Sequence, residues 1–437
     1  MDNLIAARSQ MALSLVFHIV FSCIGMAMPF FMAVTHFIYL RWGNPVYKNI
    51  TVAWSKGVAI FFATGAVSGT MLSFEMGLLW PEFMKHAGPI FGMPFSLEGT
   101  AFFIEAIALG FYLYGWKLFK PWFHWLTGIL VGVTGVLSGI LVISANSWMN
   151  CPTGFSFING KYTNIDPIKA MFNQAWFPEA LHMIVGAFAA TGFAVAGTHA
   201  FMIARGKNVT FHRGAFKIAI LFGGLAAIIQ PLSGDLSARF VSKNQPAKLA
   251  AMEAHFKTEA HAPLIIGGIP DPETKQVNFG MKIPGLLSLM VNGNANSAVR
   301  GLDAFPAMNQ PPVAIIHYAF QTMVAMGMTM LGLALLYLFA SRWHKDWQLT
   351  QWFYKLFALA TPIGFIAVEA GWIVTEVGRQ PWIIQGIMRT SDAVTPMPGM
   401  AFSFYIFGLV YLTLTAAVIA LLYRQIKMVP VIYDQNI

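Results

Sequence analysis

TEVGRQPW, Thr375 to Trp382, closes the apolar run ATPIGFIAVEAGWIV (360–374), and the reading of these two stretches together decides the fold. A bilayer core takes about 20 apolar residues to cross as a helix, which this run supplies. Yet it keeps Glu369, Glu376 and Arg379 before it stops at Pro381. An ionisable side chain inside a span costs roughly 2.5–3.5 kcal/mol on insertion scales, so residues of this kind are retained for function. The rest of the chain has the same character. It is 57% apolar and 10% charged over 437 residues, with a mean hydropathy of +0.62. Soluble domains carry about 25% charged residues, so the chain is a membrane protein.

Apolar windows fall near 13–40, 52–80, 95–116, 123–147, 179–203, 214–235, 312–340, 351–376 and 399–424. The fold expected is an all-α polytopic membrane protein with nine transmembrane helices. Placing the N-terminus outside and the C-terminus in the cytoplasm puts 14 Lys and Arg in the inner loops and six in the short outer ones. That is the bias of the positive-inside rule, which long loops hardly affect. The net charge of +9 is thereby accounted for without a nucleic-acid partner. Helix 1 is too long for a cleaved signal and is read as retained. The organisation expected is 1–235 for spans 1–6 with cofactor-binding residues, 236–311 for an extracytoplasmic loop, and 312–437 for spans 7–9 with the GRQPW motif. The loop is read as irregular apart from one helical stretch, AKLAAMEAHFK (247–257). The two cysteines, Cys23 and Cys151, make no metal-site spacing, and there is no CxxCH, so any haem would be held without thioether links.

The buried ionisable residues are His18, Glu75, Glu98, Glu105, His182, Glu369 and Glu376. With the alternating helix directions, all seven fall in the outer half. Glu98 and Glu105 are two turns apart and share a helix face, and Glu369 and Glu376 repeat the interval. Arg379 can pair with Glu376 or with an anionic group such as a haem propionate. Acid pairs, two histidines and an arginine at one depth point to a redox or proton-handling centre. Haem iron suits these ligand types, and His with Met makes a six-coordinate electron-transfer site. His182 sits among the small residues of LHMIVGAFAATGFAVAG (181–197), which leave clearance for a porphyrin, and Met323 in FQTMVAMGM (320–328) lies at comparable depth.

GRQPW, FSLEGTAFFIEA (95–106), RSQMALSLVFH (8–18) and KLAAMEAHF (248–256) together resemble subunit I of the cytochrome bd-type quinol oxidases, over essentially the whole chain. The resemblance implies that His182 and Met323 are axial ligands of a low-spin haem b. It implies that His18 and Glu376 ligate two high-spin haems where O2 is reduced. Glu98 becomes a distal ligand, Glu105 a proton-delivery acid and Arg379 a catalytic-site cation, with Glu369 and Trp382 beside the cofactors. The long loop becomes the quinol-binding loop, with Lys248, Glu253 and Asp235 at the quinol site; helical periodicity alone does not bring Lys248 and Glu253 together. Asn146 and Trp148 of SANSWMN (144–150) match a family motif. The cofactors implied are two haems b with one haem d or a third haem b, and the substrate is ubiquinol or menaquinol. The partners implied are a second oxidase subunit of homologous fold and a small single-helix accessory subunit, in the bacterial cytoplasmic (inner) membrane.

One position departs from the better-known members. Gln321 stands where they have an Arg, two residues before the axial Met, and losing that cation should lower the low-spin potential. Together with the short loop, this resembles the cyanide-insensitive branch. The activity expected is oxidation of quinol at the outer face with reduction of O2 to water, separating charge without a pump. The rivals are an ion- or proton-coupled transporter, which predicts inverted repeats around a midplane site, and a non-catalytic haem or quinone sensor.

Overall fold

A computed structural model describes residues 2–158, 161–207 and 209–433. Among them, nine helices are long and apolar enough to cross a membrane. These are α1 (Asn3–Trp42), α2 (Pro45–Leu79), α3 (Pro81–Tyr114, prolonged by a short 3-10 turn), α4 (Pro121–Asn150), α6 (Trp176–Ala204), α7 (Val209–Asn244), α10 (Val313–Trp343), the pair α11 (Gln351–Leu359) and α12 (Ile363–Val377), and α14 (Met400–Tyr433). Shorter helices are α5 (Pro167–Met171), α8 (Pro246–Met252), α9 (Leu286–Asn292) and α13 (Thr390–Ala393).

Local chemistry sets the turns. Gly43 adopts a left-handed φ of 67° and donates its N–H to Tyr39 O, closing α1. Asn44 then accepts from Val46 N at 3.0 Å to cap α2, whose first residue is Pro45. Proline at that position loses no hydrogen bond, so two long helices turn back on each other through two residues. Span 8 was expected as one helix but breaks at 360–362. Pro362 has no N–H to continue the ladder, and the chain restarts with Ile366 N donating to Pro362 O.

α1 is central and packs on α2, α4, α6 and α14; α3 packs on α4, α6 on α7, and α10 on α12. Without a hydrophobic driving force between helices in lipid, close backbone approach at small residues holds such bundles. Gly192 of α6 and Gly223 of α7 face each other so closely that a Cβ on either would strike the opposing backbone.

Two expectations for the long loop need correction. The expected boundary at 235/236 falls inside α7, which runs on to Asn244, because a helix does not end where its apolar window ends. The segment beyond is also ordered. It carries α8, α9 and three antiparallel pairs: β3 (Glu259–Ala260) with β8 (Ala298–Val299), β4 (Leu264–Ile266) with β7 (Met281–Ile283), and β5 (Ile269–Asp271) with β6 (Gln276–Asn278). The helix expected over 247–257 ends at Met252. Ala254 turns left-handed with φ 48°, and His255 N donates back to Ala250 O. Two further pairs lie elsewhere, β1 (Ser156–Ile158) with β2 (Lys161–Thr163) and β9 (Trp382–Ile384) with β10 (Met388–Arg389).

Candidate functional site

GRQPW lies directly beyond α12, at the end of the bundle that carries the long loop. Glu376 Oε2 pairs with Arg379 at 2.5 Å, and Glu376 Oε1 accepts from Asn146 Nδ2 at 2.6 Å. Arg379 is 2% exposed, so this pair is shielded from the solvent screening that makes surface pairs weak. A carboxylate offers about four lone-pair sites. Two are taken, and the side chain of Glu376 keeps 27% exposure, which leaves capacity for a ligand.

Asn150, one turn after Asn146, is the hub of the cluster. Its Oδ1 accepts from Arg379 at 3.3 Å, Lys248 Nζ at 3.3 Å and Gln245 Nε2 at 3.1 Å, while its Nδ2 donates to Glu179 Oε1 at 3.0 Å. Two cations, Lys248 of α8 and Arg379 just beyond α12, thus meet two carboxylates, Glu179 of α6 and Glu376 of α12, around an asparagine of α4. Lys248 is 4% exposed. Burial and the Arg379 guanidinium push its ammonium down from the ordinary range, and Glu179 and Glu376 draw it back up. The stem of Lys248 crosses Gly378, where a Cβ would stand 2.9 Å from its Cγ; that clearance is a local reason for the glycine of GRQPW.

Lys248 and Glu253 do not meet. Glu253 is buried with Oε2 unpartnered, and desolvation pushes its carboxyl up to about 8. Asp235 lies apart as well, in an exposed pair with Arg239 at 2.7 Å. Trp382 has the Arg389 guanidinium over its ring at 5.2 Å. Trp148 is buried, donating its Nε1 to Thr153 O, and serves packing. Glu179, Asn150 and Gln245 were not singled out from sequence; the Asn146–Asn150 spacing of one helical turn was the available signal for Asn150.

His18 and His182 share one device. His18 Nδ1 lies 2.9 Å from Ser68 Oγ, and Ser68 donates its own proton to Gly65 O. His182 Nδ1 lies 3.0 Å from Ser233 Oγ, and Ser233 donates to Gln230 O. With each serine hydroxyl donating to a carbonyl, the tautomer that completes both contacts donates from Nδ1 and carries its lone pair on Nε2. That is how metal-binding histidines are commonly oriented. At His182 the Gln230 amide also lies near both ring nitrogens, at 3.2 and 3.3 Å.

Each neutral ligand candidate also faces a glycine. A Cβ at Gly69 would stand 3.0 Å from the His18 ring, one at Gly234 3.5 Å from the His182 ring, and one at Gly371 3.1 Å from the Met323 sulfur. Thr322, beside Met323, lines a cleft of about 690 Å³ with Val20, Tyr318, Phe365 and Glu369. Both Glu369 oxygens lack a partner. None of His18, His182, Met323 and Glu376 lines this cleft. Among the described residues no three His, Cys, Asp or Glu side chains converge on one point. Ligands presented singly suit a porphyrin, which brings its own in-plane nitrogens, and the residues therefore fit haem.

On α3, Glu98 and Glu105 both face α4. Glu98 accepts from Ser138 Oγ at 2.7 Å, and Glu105 lies against Gly135, where a Cβ would stand 3.4 Å from its Oε1. Gln321 does not act as a substitute cation. Its Nε2 donates to Ile265 O at 3.0 Å and its Oε1 accepts from Gly267 N at 3.2 Å, while His317, one turn earlier, reaches Met252 O and Gly267 O.

The chain is similar in sequence and fold to known proteins. The family described as cytochrome bd terminal oxidase subunit I matches residues 6–430. A chain of the solved bd oxidase from Geobacillus thermodenitrificans is 35% identical with a TM-score of 0.92, covering 98% of both chains. A Bacillus subtilis (strain 168) protein, named provisionally as a cytochrome bd menaquinol oxidase subunit I, is 33% identical over 100% of this chain and 99% of its own length. The cytochrome bd ubiquinol oxidase subunit 1 of the same strain is 31% identical over 98% and 94%. With nine candidate membrane spans and a match over nearly its whole length, the chain belongs to the cytochrome bd terminal oxidase subunit I family.

Proposed function

We propose that this chain is the haem-bearing, quinol-oxidising subunit of a terminal oxidase that reduces O2 to water in the bacterial cytoplasmic membrane. The observation that carries the reading is the hub at Asn150, where Lys248 of the loop meets Arg379 of GRQPW and, through Asn146, Glu376 at the end of α12. A quinol headgroup held by the loop would then lie beside the residues that hold cofactor. His182 Nε2 and Met323 would hold a low-spin haem b, and His18 Nε2 and Glu376 the two high-spin haems, of which one is a haem d or a third haem b. Haem, when bound, supplies the one-electron steps that connect a two-electron donor to O2.

The residues of the chain supply the rest. Ser68 and Ser233 orient the two histidine rings through Nδ1. Arg379 and Lys248 offset negative charge at the loop end, and Glu105, deeper on α3 than Glu98, passes protons. With the N-terminus outside, quinol protons leave at the loop face and the protons consumed enter from the cytoplasm, which separates charge without a pump. The quinol is ubiquinol or menaquinol, since the relatives' names differ on this point. A second subunit of homologous fold, with a small single-helix accessory subunit, completes the complex.

Replacing His182 by Ala tests the assignment. The reduced-minus-oxidised spectrum should lose one low-spin b signal while the high-spin signals largely survive. An unchanged low-spin band would refute it.

A further inference from the structure

Glu75 is fully buried on α2 and has no part in the function described above. Its Oε1 accepts from Gln10 Nε2 of α1 at 3.0 Å, and its Oε2 has no partner. Two further buried polar atoms beside it, Gln10 Oε1 and the Tyr411 hydroxyl of α14, have no partner in full hydrogen-bond geometry, though Ser14 acts on both Tyr411 and Glu75. Ser14 stands among them and gives its proton to Gln10 O. The groups that act on Glu75 are Ser14 and Gln10 from α1 and Tyr411 from α14. Gln10, Ser14 and Glu75 are 0% exposed and Tyr411 is 2% exposed.

Buried polar atoms are nearly always paired, with protein or with ordered water, so a carboxyl with one free oxygen and two further unfilled polar atoms around it marks a site built for something mobile. The chemistry identifies it. An ionised Glu75 can take a hydrogen bond on Oε2 from the Tyr411 hydroxyl or a water. A neutral Glu75 has an O–H to give, and Gln10 Oε1 is an acceptor with nothing else to accept. Both protonation states are therefore provided for, which a fixed structural hydrogen bond would not require.

The site also adjoins His18. Gln10, Ser14 and His18 lie four residues apart along one face of α1, and Ser68, which holds His18, is two turns from Glu75 on α2. We propose that Glu75, in the chamber formed with Gln10, Ser14 and Tyr411, is a proton-holding site that binds one proton from water when an electron arrives beside His18. The step balances: the carboxylate gains H⁺ to become the carboxyl, one O–H bond forms, and the added proton charge offsets the added electron. It rests on the reading that His18 holds a redox group.

Infrared difference spectroscopy on the purified oxidase, reduced minus oxidised, in H2O and D2O, tests this. Wild-type protein should gain a protonated-carboxyl C=O band on reduction that shifts in D2O. Glu75→Gln should lose that band while its haem spectrum is retained, and proton uptake on reduction should fall by about one per molecule. Tyr411→Phe, which keeps the carboxyl, should move the band without abolishing it. The band persisting in Glu75→Gln, or standing unmoved in Tyr411→Phe, overturns the proposal. Should His18→Ala leave every haem signal intact, the reading of His18 fails instead, and that result is distinct from the first.

Discussion

At His18 and His182 a serine hydroxyl gives its proton to a carbonyl one turn back, so an Nδ1–H completes the contact and orients Nε2 away from the serine. At the same scale, Glu253 makes the loop pH-sensitive. Its carboxyl titrates near 8 where docked, against an ordinary 4.5. The docked segment therefore holds a proton that the undocked one releases between those values. Stability from this group is complete below about 4.5, declines as pH rises, and is gone above about 8. One proton linked in this way changes the docking equilibrium by roughly tenfold per pH unit across the window. Hydrogen exchange of residues 246–256, corrected for intrinsic rates, should accelerate with pH in the wild type and become nearly pH-independent in Glu253→Gln. Equal slopes in the two proteins would count against it. The candidates at Glu376, Arg379, His18 and His182 were legible in sequence because charge inside an apolar window needs no further context. The partner of Lys248 was not legible. Its contact Asn150 is 98 residues away on another helix, and no local periodicity encodes that meeting.

At the scale of elements, α10 and the loop are joined by an amide behaving as a backbone group. Gln321 offers one donor and one acceptor, as a peptide does, and so pairs with Ile265 O and Gly267 N. An arginine at this position could only donate and would leave Gly267 N–H without this partner. Each such bond contributes about 0.5–1.5 kcal/mol. Gln321→Ala should loosen the β4 segment, with faster exchange at Gly267 and a several-fold higher KM for quinol, while kcat changes less. Unaltered exchange at Gly267 would show that the clamp holds nothing. The break in span 8 and the strands β3 to β8 escaped the sequence reading for a common reason. An apolar window sets whether a segment crosses, whereas backbone pairing within a polar loop depends on partners up to 40 residues distant along the chain, as in β3 with β8.

At the scale of the molecule, the spans carry ionisable residues toward both ends: Glu179 and Glu376 beside the segment 246–311, and the buried His36, His124, His199 and His212 at the far ends of α1, α4, α6 and α7. The number of spans was legible from apolar length alone, since the bilayer fixes that length. Their arrangement around α1 was not, because lipid-facing and helix-facing surfaces are equally apolar. If the loop holds quinol, a protease that cuts it in intact complex should abolish quinol oxidation, while an artificial donor that bypasses the loop still supports oxygen consumption. Quinol turnover persisting after complete cleavage would place the substrate elsewhere.

The meeting of Lys248 with Arg379, Glu179 and Glu376 has a thermodynamic corollary. The loop lends a cation to a cluster whose other members belong to the membrane bundle, so lifting it off would leave two acids facing a single guanidinium. Whatever binds at Glu376 and draws on its charge must then alter the grip on the loop, and by reciprocity the loop's position alters that binding by the same factor. Occupancy inside the bundle and the posture of the segment outside it are thereby two readings of one equilibrium.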